Sequence, residues 1–204
     1  MCQIFYISHS DRYWHTDTRN YVYPIEAEFQ TKNLNTGTNQ TLMQEINIAP
    51  YRADFRKQVL DLVISAWEPV FAKTIKDVPR FVYDNFWPHG WQTRQVSEVS
   101  FLLDTEPENF WLALQDNVLI GFIGISIHPK DQMGEVSILA VSPQHQRKGA
   151  GRALMDFTEQ HIRTNGMKMV MVETVGDSGH ESARLTYEAL GYERWPVARY
   201  FKKL

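Results

Sequence analysis

Apolar positions along this chain recur with two periods, and the switch between them sets out the elements. Ile46 and Ile48 alternate with polar residues, which predicts a short strand ending at Pro50. Phe55, Val59, Leu62, Val63 and Ala66 then recur at helical spacing, so a helix starts at Ala53 or Asp54 and is ended or kinked by Pro69. From Trp67 to Trp91 the chain is dense in aromatics and broken by Pro79, Pro88 and Gly90, which predicts short helices and loops. A helix follows over 93–103, with Val96, Val99, Phe101 and Leu103 apolar.

The pattern then turns to strands. Asn109–Gln115, Leu119–Ile127 and Glu135–Val141 read as three consecutive strands, joined by a turn at Asp116-Asn117 and a second over 129–134. A helix over 149–164 has Leu154, Met155, Phe157 and Ile162 on its buried side and a C-cap signal at Asn165-Gly166. Residues 168–174 are almost unbroken apolar and predict a central strand. A helix from Glu181 or Ser182 to Leu190 stops at Gly191, and Val197–Lys203, after Pro196, reads as a last strand. The order predicts an α/β (α+β) fold: a mixed sheet whose antiparallel meander is followed by crossover helices.

Residues 1–44 do not share this regularity. The stretch 31–41 is rich in Asn, Thr and Gly with one apolar residue, so 1–44 reads as a polar N-terminal extension and 45–204 as the folded domain. Three readings of the extension stay open: a disordered arm, an added strand with a tail, or a segment upstream of a start at Met43. The net charge of −3 gives no basis for nucleic-acid binding by bulk electrostatics. The sole cysteine, Cys2, rules out an intrachain disulfide and a zinc-finger pattern. No apolar run approaches a membrane span, and the N-terminus lacks the features of a secretory signal. These features predict a cytoplasmic protein.

Charge matters locally instead. Gln146-Arg147-Lys148-Gly149-Ala150-Gly151 lies between the third meander strand and the helix after it, with Arg152 following. A strand entering a helix through such a turn leaves the first helical N–H groups without intrahelical partners, at the positive end of the helix dipole. Gly149 and Gly151 lack a Cβ, so an anion can come close to the backbone. The stretch predicts a diphosphate cradle. The absence of Gly-Lys-Ser/Thr argues against a nucleoside-triphosphate P-loop.

This cradle, in this order of elements, resembles the GNAT superfamily of acetyl-CoA-dependent N-acetyltransferases. The family motif Gln/Arg-x-x-Gly-x-Gly/Ala is matched in full by 146–151, and Leu139-Ala140-Val141-Ser142-Pro143 resembles the strand and turn before it. Ala183-Arg-Leu-Thr-Tyr187-Glu-Ala-Leu-Gly191-Tyr192 resembles the family's last-helix motif. The resemblance covers roughly 45–204. It implies a mainly antiparallel central sheet flanked by helices and splayed between the fourth and fifth family strands, the one ending at Val141 and the one beginning near Lys168. It also implies acetyl-CoA as co-substrate. The N–H groups of Arg147–Gly151 would hold the pyrophosphate. The backbone of Leu139, Ala140 and Val141 would pair with the pantetheine arm, and Ala183 and Tyr187 would lie along the cofactor. His180 stands where many members have Asn, which leaves two roles open: a contact to the arm, or a cap on the following helix.

By the same resemblance, the Tyr187 hydroxyl protonates the departing thiolate and Glu135 removes a proton from the amine. His128, His180 and a water chain are alternatives for the base, histidine because its ordinary pKa lies near neutrality. Trp67, Phe71, Tyr83, Phe86 and Trp87 could line an acceptor pocket, where aromatic faces suit a cationic amine. No metal is required. The reading is transfer of acetyl from acetyl-CoA to a primary amine of a small molecule, without nucleic-acid or membrane partners and with a homodimer left open. A protein N-terminus or lysine is the alternative acceptor, and a non-catalytic CoA-binding sensor is the alternative class.

Overall fold

Strand pairing sets the frame. The computed structural model describes Cys2–Gln3 and residues 45–204. The chain order is β1 (Cys2–Gln3), β2 (Asn47–Pro50), α1 (Arg56–Asp77), α2 (Arg80–Phe86), α3 (Trp91–Thr105), β3 (Phe110–Gln115), β4 (Val118–His128), β5 (Met133–Val141), α4 (Ala150–Thr164), β6 (Met169–Val172) and α5 (Glu181–Ala189). These strands form one sheet in the order β1-β5-β4-β3-β2, with β6 also on β5. Every pairing is antiparallel except β5 with β6. The β3–β4 turn succeeds without glycine because Asp116 and Asn117 both take left-handed backbone (φ 50 and 62), which the tight hairpin turn demands and these two residue types tolerate.

β5 is the hub of the sheet. β4 pairs with it along one edge from His128↔Met133 to Gly121↔Val141. Its other edge is shared. β6 takes Met133–Val136, and β1 takes Leu139 and Ala140. The register with β4 slips at Ser137, since Gly124 faces Ile138 while Ile125 faces Val136. This is a β-bulge. A Cβ on Gly124 would lie 2.7 Å from both Ser137 Oγ and Ile138 Cγ2, so the bulge needs glycine opposite it.

The bulge also changes which side chains share a face. Phe122, Ile138 and Ala140 belong to a core with α1 and α3, while Ile123, Val136, Leu139 and Val141 belong to a second core with α4 and α5. Alternation from Val136 puts Glu135 on the α1 side. Glu135 therefore shares its face with Ser137, Ile138 and Ala140. An unbroken alternation would instead have grouped it with Ser137, Leu139 and Val141.

Three expectations need correction. α1 does not end at Pro69 but runs 22 residues, because its buried stripe continues past the proline through Val70, Phe71 and Thr74. Packing of that stripe outweighs the lost backbone bond. β6 is not central, since its outer edge has no strand among the described residues and Met169 is half exposed. Residues 197–203 form no strand, and Val197 and Tyr200 stand in solvent rather than in a pleated, half-buried row. The 1–44 extension falls outside the described residues apart from Cys2–Gln3.

A buried polar cluster ties α1 to the loop before α5. The His180 Nδ1 lies 2.8 Å from Asp177 Oδ1, with both side chains almost wholly buried, and Thr74 donates its hydroxyl to Asp177 Oδ2 at 3.2 Å. Gly179 packs so closely that an added Cβ would lie 2.7 Å from the Val70 carbonyl oxygen. Burial pushes the Asp177 carboxyl up. The His180 side-chain bond and charge, the His180 N–H and the Thr74 hydroxyl together outweigh it and hold the group below the usual carboxylate range. A depressed folded-state pKa contributes stability above the unfolded value near 4, and that contribution is lost as pH falls through the folded value. Asp177→Asn is accordingly expected to destabilise the protein by about 2 kcal/mol at pH 7. In urea titrations the gap from the parent protein should close below about pH 4.

Candidate active site

The cradle is shaped by backbone rather than by caps. After β5 the chain makes a short 3-10 turn at Pro143–His145 and passes through Gln146 in extended backbone. Arg147 and Gly149 are both left-handed, at φ 59 and 94. Gln146 turns back and donates its side-chain amide to the Val141 carbonyl at 3.1 Å, which fixes the loop to the end of β5. α4 then starts with no side-chain cap and no acidic residue in its first turn. Its leading N–H groups thus keep their affinity for an anion. Arg147, Lys148 and Gly149 are exposed, Gly151 is half-buried, Ala150 is buried, and no atom lies within 4 Å of a Cβ built on Gly149. Arg152 is shared with Asp156 at 3.5 Å. His145 Nδ1, on the turn leading in, is a buried nitrogen without a hydrogen-bond partner. An uncapped helix start, an open glycine and an orphaned nitrogen fit a diphosphate.

Beyond Val136 the edge of β5 leaves β6 behind. This parting is the splay expected for the pantetheine arm. At Leu139 and Ala140 the same edge pairs with Gln3 and Cys2. An arm hydrogen-bonded at those two residues and β1 exclude one another. Val141 lies past that pairing. His180, expected along the arm, is 4% exposed and its ring is turned to Asp177. It occupies the N-cap position of α5 but makes no side-chain capping bond. Ala183 is buried in the α4–α5 core.

The two expected catalytic groups come from opposite faces of the sheet. Tyr187 belongs to the α4–α5 core, is 5% exposed, and packs near Tyr192 with ring centroids 6.0 Å apart. The Tyr192 hydroxyl donates to Glu159 Oε1 at 3.2 Å, and burial together with that carboxylate pushes it far above an ordinary phenol. Glu135 is buried on the α1 side, with Oε2 2.9 Å from the Nε2 of His128. Two residues that the sequence offers as alternative bases thus form one pair.

A cavity of about 1240 Å³ lies along β6. Its walls include Val82, Phe86 and Trp87 from the α2 region, Met133, Met169 and Met171 from the sheet, Tyr187 from α5, and Trp195 and Phe201 from the C-terminal segment. Of the five aromatics expected at an acceptor pocket, Phe86 and Trp87 line this cavity. Trp67 and Phe71 do not. They are buried in the α1–α3 core, where Phe71 stacks on Trp91 with centroids 4.6 Å apart. Tyr83 packs behind, against Trp87, at 4.7 Å. Helical spacing alone does not separate the core side of α1 from a cavity side, and these residues sit on the core stripe. Thr174 also lines the cavity, and its buried hydroxyl has no hydrogen-bond partner. Nothing in the sequence marked Thr174, His145 or Asp177: Asp177 gains its meaning from Thr74, far away in the chain, and Thr174 and His145 from burial, which no local pattern reports.

Residues 75–192 match the acetyltransferase (GNAT) family. The mycothiol acetyltransferase of Thermomonospora curvata is 39% identical over 92 residues, which are 45% of this chain and 30% of that protein. The mycothiol acetyltransferase of Thermobispora bispora is 30% identical over 137 residues, covering 65% of this chain and 43% of its own length. The chain therefore spans less than half the length of these curated relatives. Among solved structures, the aminoglycoside N-acetyltransferase AAC(6')-Iy in complex with CoA superposes with a TM-score of 0.52 at 14% identity, over 78% of this chain and 95% of that one. The ribosomal-protein-S18-alanine N-acetyltransferase of Escherichia coli does so with 0.53 at 17%, over 74% and 80%. At such identities the likeness is one of fold. The family match covers more than half of the chain, on the cradle, the splayed sheet and the Tyr187 helix described above, and this chain belongs to the GNAT acetyltransferase family.

Proposed function

We propose that this enzyme transfers an acetyl group from acetyl-CoA to a primary amine of a small molecule by direct attack within a ternary complex. The observation that carries the reading is the cavity along β6. It has Tyr187 in its wall and Met133 and Met171, the sheet neighbours of Glu135, in its lining, Glu135 itself standing outside that lining, and its volume leaves room for a small acceptor beside the thioester. The relatives' name, mycothiol acetyltransferase, supports a small-molecule acceptor.

Each group then has a task. The uncapped start of α4, with Arg147 and Lys148, holds the diphosphate and so fixes how far the thioester reaches along the splay. Glu135 takes the proton from the amine nitrogen as that nitrogen bonds to the thioester carbonyl carbon. The carbon–sulfur bond breaks, and the Tyr187 hydroxyl gives its proton to the departing thiolate. Solvent returns a proton to Tyr187 and removes one from Glu135, so the net change is amine plus acetyl-CoA to acetamide plus CoA. Phe86, Trp87 and the three methionines exclude water and offer polarisable faces to the acceptor. The Thr174 hydroxyl is a ready hydrogen-bond partner for a bound molecule.

Release of CoA thiol measured across a panel of amino sugars, polyamines, amino-acid amides and basic peptides tests the reading. Turnover of peptides with none of the small amines would refute it. With the best acceptor, Tyr187→Phe and Glu135→Gln are each expected to lower kcat by about 100-fold or more, with the KM for acetyl-CoA little changed. Gly149→Val, which puts a branched side chain on left-handed backbone in the cradle, should act in the opposite sense. It is expected to raise the KM for acetyl-CoA by about tenfold and leave kcat near the parent value.

A further inference from the structure

His128 ends β4, and Pro129 follows it at once into a 3-10 turn that closes on Gln132 in left-handed backbone. A residue before proline has a restricted backbone, so the ring starts from a fixed direction. Across the turn His128 pairs with Met133, and Glu135 pairs with Ser126. His128 and Glu135 are therefore diagonal neighbours on one face of the sheet, within reach of each other's side chains. The contact is the 2.9 Å approach of Nε2 to Oε2 already described. The histidine side chain keeps 32% of its surface in solvent while the glutamate keeps 11%. An ionised carboxylate accepts hydrogen bonds and donates none, so while Glu135 is charged Nε2 carries the hydrogen. Met133 and Met171 flank Glu135 in the sheet, by sequence alternation and by register.

We infer that His128 is a positioning residue for acetyl transfer: its Nε2–H holds Oε2 of Glu135 and fixes the direction from which the carboxylate takes the amine proton. His128 itself neither gains nor loses a proton in the step. The amine proton passes to the carboxylate, and the imidazole hydrogen bond persists to the resulting carboxylic acid. This inference rests on Glu135 being the proton acceptor.

A double-mutant cycle with steady-state kinetics tests it. His128→Ala is expected to lower kcat by about tenfold to a hundredfold while the KM for acetyl-CoA stays at the parent value. His128→Gln, whose side-chain amide can donate to the same oxygen, should recover most of that loss. Combining His128→Ala with Glu135→Gln should be no worse than Glu135→Gln alone, because the histidine acts only through the carboxylate. If Glu135→Gln turns over like the parent, the assignment of the base falls and this inference with it. If Glu135→Gln is crippled while His128→Ala keeps parent kcat, only the positioning role falls. A double variant slower than Glu135→Gln by the full His128→Ala factor would likewise overturn the role, since the two side chains would then act independently.

Discussion

One strand can pair along only two edges, and β5 has three claimants. β4 holds one edge throughout, and β6 and β1 divide the other. The rest of the site follows from this division. Because β6 stops pairing at Val136, the edge farther along passes to β1, and an extended chain of amide groups can bind at Leu139 and Ala140 only in place of β1. Because β5 runs on to Val141, the cradle that follows is delivered at a fixed distance from the parting. Gln146, bonded to the Val141 carbonyl, transmits that position into the loop.

The bulge at Ser137 lies just past that parting. An extra residue in a strand bends it and re-aims the side chains on either side. Without it, Glu135 and the residues of the arm seat would alternate in step. With it, the acidic group lies on the α1 side of the sheet, while Leu139 and Val141 remain in the core under α4. Gly124 is the counterpart that makes room for the bulge. The chemical asymmetry of the site, with a carboxylate on one face and a tyrosine on the other, thus rests on one missing methyl group in the neighbouring strand.

The sequence made much of this legible, and the illegible parts have a common cause. The meander, the cradle and the α5 motif were readable because each is local: period, turn residues and glycines sit within a few positions of one another. The length of α1 stayed open, between an end and a kink at Pro69, because a local rule about proline competed with a buried stripe that packs against distant β5. Trp67 and Trp87 look alike in sequence and share the α1–α3 core, and only tertiary neighbours put Trp87 on the cavity wall as well. The last seven or so residues had a strand's composition but no strand to pair with among the described residues. Asp177 is the clearest case. Its partners are Thr74, a hundred positions away, and His180, whose own role the motif left open.

The outer wall of the cavity is made differently from the rest. It is chain without regular structure, held to the body by contacts such as the Phe201 ring against Phe86 and the Arg199–Glu173 pair at 3.7 Å. Among the described residues, no ladder hydrogen bond and no core residue depends on the side chains at Trp195 or Tyr200, which are 86% and 90% exposed. Substitutions there can widen, narrow or recharge the acceptor side at little cost to folding. On the proposed function, acceptor preference is therefore free to drift on its own, while the groups assigned to the thioester stay locked to the register of the sheet.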